Sequence, residues 1–186
     1  STRARACLAR ADHGDPMVRA LDAVLRAEAG VRVSEEELAR AREWFDEADV
    51  VWSRLLAAHG QSERAVEVLQ EATRRGNRLS ATSLGYLLEE CGREAEATAA
   101  YRIAIEQGDG YAAYNLALMH AADGEMTAAR HWARVAADRG DRWARRWLSS
   151  LQHQVRRARR GGDITVSRRV PGAGDARSVV RQAISG

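Results

Sequence analysis

The sequence predicts an all-α fold: a solenoid of stacked antiparallel helix pairs, closed by a basic capping helix and a C-terminal tail. Three observations lead there. Good helix formers (Ala, Leu, Arg, Glu) dominate, while two prolines and one Phe in 186 residues argue against an all-β chain. Glycines recur at intervals of 32: Gly60, Gly92 and Gly124 in one register, Gly76, Gly108 and Gly140 in another. Alanines keep that interval at 65, 97 and 129 and at 72, 104 and 136, and Trp52, Leu84, Leu116 and Leu148 fall in step. One period shared by several registers is the mark of a repeat architecture.

The elements follow in order. Residues 15–29 read as a helix with Asp15 as cap and Pro16 in the first turn. Ser34 and Glu37 form a capping box that opens the next helix. Together these make a degenerate first unit within residues 1–46. The alternative is one unbroken helix over 35–59, because no Gly or Pro separates Phe45 from Trp52. Residues 47–140 hold three 32-residue helix pairs. Leu84, Leu87, Leu88 and Cys91 recur at helical spacing before Gly92 stops the helix; Ala97, Tyr101, Ala104 and Ile105 do so before Gly108. A glycine just past a helix end adopts the left-handed conformation without a Cβ penalty. Small alanines at 72, 104 and 136 let neighbouring backbones approach, where a Leu would overpack. Residues 141–160 begin as a repeat helix and continue arginine-rich, as a solenoid cap does. In the tail, 161–186, "DITVSRRV" reads as extended, "PGAG" as a turn or linker, and "DARSVVRQAI" as a short amphipathic helix with Val179, Val180 and Ile184 along one side.

The order Leu84-Gly85, Leu88, Ala97, Tyr101, Ala104 resembles the tetratricopeptide pattern of large–small, large, Ala, aromatic, Ala. Trp52-Ser53, Leu56, Ala65, Leu69 and Ala72 match it in the preceding unit, and Leu116-Ala117, Ala129 and Ala136 in the following one. The seam "EQGD…AAYNLALMH" is also similar to the Sel-like repeat, a sister family of helix pairs. The resemblance covers about residues 47–150 and implies a right-handed solenoid whose first helices line a concave groove. Its groove positions fall on Arg54; on Leu79, Thr82, Tyr86 and Glu89; on Tyr111, Tyr114, Asn115 and Leu118; and on Trp143, Arg146 and Trp147. Tyr86 and Tyr114 either face that groove or pack between units. The family's carboxylate clamp of Lys and Asn is not reproduced.

All 29 basic residues are arginine, a bias of GC-rich bacterial genomes rather than a functional signal. Residues 1–138 carry 17 Arg against 23 acids, net −6; residues 139–186 carry 12 Arg against 3, net +9, and the two make the overall +3. Arg156, Arg157, Arg159, Arg160, Arg168 and Arg169 form a basic patch with three readings: a solvated cap, a dock for an acidic protein surface, or a contact to nucleic-acid phosphates. No run reaches the roughly 18 apolar residues of a membrane span, and no signal peptide is visible. The chain begins at Ser1, as a processed product or a piece of a longer protein would. Cys7 and Cys91 fit no metal spacing and read as reduced thiols of a cytoplasmic protein.

Motifs that carry chemistry are missing. The histidines at 13, 59, 120, 131 and 153 form no HExxH pair, "GDG" at 108–110 is a turn, and no P-loop, dinucleotide fingerprint or nucleophile elbow occurs. His120 reads as a packing or groove residue. No enzyme, cofactor or metal is expected. The expected function is a noncatalytic interaction scaffold or adaptor. It would bind a peptide or helix of another protein, of its own tail or of a second copy. The alternatives are a regulatory nucleic-acid-associated protein and the repeat domain of a larger signalling or biosynthetic protein. No membrane partner is expected.

Overall fold

The structure, a computed structural model, describes residues 14–159, with side chains through Gln152. Every regular element among the described residues is an α-helix. None of these helices is long and apolar enough to cross a membrane. The chain divides into two compact units, one ending at Gly92 and the other beginning at Arg93.

The first unit holds α1 (Pro16–Glu28), α2 (Glu35–Ala41), α3 (Glu47–Ala58), α4 (Ser62–Arg74) and α5 (Ser80–Glu90). Asp15 starts α1 by accepting the Met17 N–H at 2.8 Å, with Pro16 in the first turn, where its missing N–H costs nothing. The capping box of α2 is complete: Ser34 Oγ accepts the Glu37 N–H at 3.2 Å, and Glu37 Oε2 accepts the Ser34 N–H at 2.9 Å. The long helix over 35–59 does not form. Residues 42–46 break it without Gly or Pro, and the half-buried Phe45 packs against the core cluster that includes Val24, Leu38, Ala41 and Val51. Arg42 meanwhile reaches across the break to Asp49. Burial of an aromatic ring offsets the few helical hydrogen bonds given up there.

The second unit holds α6 (Glu94–Glu106), α7 (Gly110–Ala122), α8 (Met126–Asp138) and α9 (Arg142–Arg159). Sequence neighbours pack on one another within it. Its interior is built of small residues and aromatics: Tyr101, Tyr114, Ala104, Ala129, Ala133, Ala136 and Ala144 have no exposed surface. Helix α7 is buried without a break from Ala112 to Leu118. A helix apolar on all sides sits in the middle of its unit.

Three features recur at the 32-residue interval. The alanines at 65, 97 and 129 and at 72, 104 and 136 are all fully buried. Gly60, Gly92 and Gly124, with Gly76, Gly108 and Gly140, all take positive φ. At Gly108, φ is 97° while its N–H reaches Ile105 O at 2.9 Å and the Asp109 N–H reaches Ala104 O at 3.0 Å, the paired bonds that satisfy a helix C-terminus. The third register is a side-chain acceptor in the turn that leads into the next helix. Asn77 Oδ1 accepts the Leu79 N–H at 2.9 Å, Asp109 Oδ1 accepts the Tyr111 N–H at 2.7 Å, and Asp141 Oδ1 accepts the Ala144 N–H at 2.7 Å.

Candidate functional site

In the first unit the most constrained polar cluster surrounds Asp49, which α3 buries to 1 % exposure. Its Oδ1 accepts from Arg42 Nε at 2.6 Å; its Oδ2 accepts from Arg75 Nη2 at 2.7 Å and from Asn77 Nδ2 at 2.9 Å. Asn77 Nδ2 also donates to Asp46 O at 2.8 Å. Carboxylate, two guanidiniums and an amide thus join the start of α3 to the end of α4 and the α4–α5 turn. Every oxygen of the buried carboxylate is satisfied, which is what keeps a charge tolerable in an interior. The Arg42 guanidinium also lies over the Trp52 ring, 5.2 Å from its centroid. Sequence reading missed this cluster, although the period contained its signal. Positions 81 and 113, one and two intervals after Asp49, are fully buried alanines, so an acid in that register needs buried partners.

The positions that the resemblance assigned to a groove fall into two sets. In the first unit Arg54, Thr82, Tyr86 and Glu89 are half-buried and Leu79 is 45 % exposed. In the second, Tyr111 and Trp143 are half-buried and Arg146 is exposed, but Tyr114, Asn115, Leu118 and Trp147 are buried. The last four belong to the interior packing of α7 and α9, and the surface left to a partner there is Tyr111, Trp143 and Arg146. Arg142 stacks on Trp143, 5.1 Å from the ring centroid. Burial, with Asp141 and Tyr111 nearby, pushes the Tyr114 phenol up to about 12, so it stays neutral across the ordinary pH range. Of the basic patch, Arg156, Arg157 and Arg159 lie on α9 beyond the described side chains, and Arg160, Arg168 and Arg169 lie outside the described residues, as does the tail.

A cleft of about 690 Å³ opens beside the turn after α1, floored by Val31, Val33, Leu38, Trp52 and Leu55 and rimmed by Arg32 and His59. The His59 Nδ1–H donates to Leu55 O at 2.7 Å, a contact that anchors the ring to its own helix. The other histidines with described side chains are similarly occupied. His120 Nδ1 donates to Glu125 Oε2 at 2.7 Å, and His131 packs edge-on against Trp132 with centroids 5.0 Å apart. Among the described residues no group of three His, Cys, Asp or Glu stands ready to hold a metal. Cys91 is exposed as a free thiol, and Cys7 lies outside the described residues. These surfaces offer half-buried aromatics, a cleft with an apolar floor, and arginines. No protein-family model matches the chain, and neither a curated protein nor a solved structure does.

Proposed function

We propose that this chain is a noncatalytic interaction scaffold, a solenoid of helix pairs of tetratricopeptide or Sel-like type, that holds a peptide or helix of another polypeptide. One observation carries the reading: a side-chain acceptor in the turn, the same buried alanines and the same stop glycine return every 32 residues. Hairpins repeated in this way cannot each bury an apolar face alone, so stacking supplies the core and leaves one wall for a partner. Tyr86 is the anchor in the first unit, and Tyr111 and Trp143 are the anchors in the second. Aromatic rings give large contact area with few rotors to freeze. The scaffold would work in the cytoplasm.

The test is affinity capture with the full chain, repeated with Tyr86→Ala, Trp143→Ala and a chain ending at residue 160. Loss of a reproducible partner in the aromatic variants, with the circular dichroism spectrum unchanged, supports the reading. Capture unaffected by either substitution sinks it. New partners after removal of 161–186 identify the tail as an internal competitor.

A further inference from the structure

Arginines on α8 and α9 are used differently from several that precede them. Before α8 many meet acids: Arg26 pairs with Asp22 and Glu37, Arg40 with Glu36, Arg64 with Glu35, Arg42 and Arg75 with Asp49, and Arg93 with Glu96. On α8 and α9 they do not. Arg130, Arg134, Arg142, Arg145 and Arg146 are exposed, and none pairs with an acid among the described residues. Arg145 donates to the backbone, to Gly140 O at 2.5 Å, which leaves its charge uncompensated. Residues 126–159 hold nine arginines against two acids, Asp138 and Asp141.

We propose that the exposed arginine face of α8 and α9 binds the phosphate backbone of a nucleic acid. This goes beyond the scaffold reading and rests on other residues than it, except Arg146, which borders both surfaces. Three features choose this partner. The exposed positions of α9 through Gln152 are Arg142, Arg145, Arg146, Ser149 and Gln152, and the half-buried Trp143 beside them is covered by the Arg142 guanidinium, 5.1 Å from its ring centroid. Protein interfaces need an apolar core, whereas nucleic-acid interfaces are polar and strongly positive. On the apolar side of α9, Ala144 and Trp147 are buried and Leu148 and Leu151 half-buried, which leaves little to insert into a membrane. The charges are also many: five exposed arginines on two consecutive helices suit a partner that carries its phosphates in a line. Arg142 and Arg146 are one helical turn apart on α9, as Arg130 and Arg134 are on α8.

The test is fluorescence anisotropy of the full chain with a short labelled DNA duplex and a single strand, against polyglutamate and phosphatidylserine vesicles. With roughly four phosphate contacts, affinity for the duplex falls on the order of 10²-fold between about 50 and 200 mM salt. Replacing Arg130, Arg134, Arg142 and Arg146 by Ala abolishes most binding and flattens the salt dependence, with the circular dichroism spectrum unchanged. The same four changed to Lys retain binding, since phosphate reads charge. No binding at low salt overturns the proposal. So does polyglutamate or vesicle binding as tight as DNA binding, an Ala set that binds like the parent, or a Lys set as weak as the Ala set.

Discussion

Asp49 is the residue on which the first unit most depends, because its charge is buried and held from three directions. Asp49→Ala removes the acceptor and strands Asn77 beside it. Arg42 and Arg75 are partly exposed and can regain water, so the loss is mainly of charged hydrogen bonds and a stranded buried amide, about 1–3 kcal/mol. Urea denaturation should show that loss as a lower midpoint, and a change below about 1 kcal/mol would mean water replaces the carboxylate freely. Glu37 works at the surface instead. The Ser34 backbone N–H, and after it Arg26, hold its carboxyl down to about 2 from 4.5. A depressed carboxylate adds stability that is fully present above its unfolded value and is lost as pH falls through the folded one. Glu37→Gln should therefore lower the melting temperature at neutral pH and flatten its decline between pH 4.5 and 2. An acid limb identical to the parent's would show that the capping box contributes nothing measurable.

At the scale of the helix pair, the space between elements is set by the smallest residues. Ala104 of α6 is fully buried and its carbonyl accepts the Asp109 N–H at 3.0 Å. Ala104→Leu inserts three carbons where none fit and should cost on the order of 1–3 kcal/mol; unchanged stability would place the site on a yielding surface. Gly110, first residue of α7, is closer still, since a Cβ there would lie 3.0 Å from Arg139 Cβ and 3.4 Å from Ala136 O. Such elements were largely legible. Caps at Asp15 and Ser34, stops at the spaced glycines and buried alanines all follow from local chemistry that one residue type performs best. That the chain breaks between α2 and α3 was expected, with one continuous helix as the alternative; that α2 ends as early as Ala41 was not, because Phe45 packs on a distant core and Arg42 reaches Asp49, and no local residue signals either. The placement of Tyr114 was equally hidden. Groove positions and core positions alternate on one helix, and only the packing of α7 decides that this ring goes inside.

Across the whole molecule, burial is uneven, and stability should follow it. Helix α7 has seven consecutive buried residues, 112–118, whereas α2 is 7 residues long with two, Leu38 and Ala41. A helix that short does not hold its own hydrogen bonds in water and persists only through its packing and its capping box. Local opening costs most where the most apolar surface is re-exposed. Hydrogen exchange on the full chain should therefore rank the amides of α7 among the most protected and those of α2 among the first to exchange. Adding Ser34→Ala, which removes the α2 cap, should speed exchange in α2 by roughly fivefold, a cap being worth about 1 kcal/mol, and leave α7 unchanged. Equal protection in both helices would mean that the unit ending at Gly92 and the unit beginning at Arg93 unfold in one cooperative step, in which case the cap's contribution would be spread over every amide.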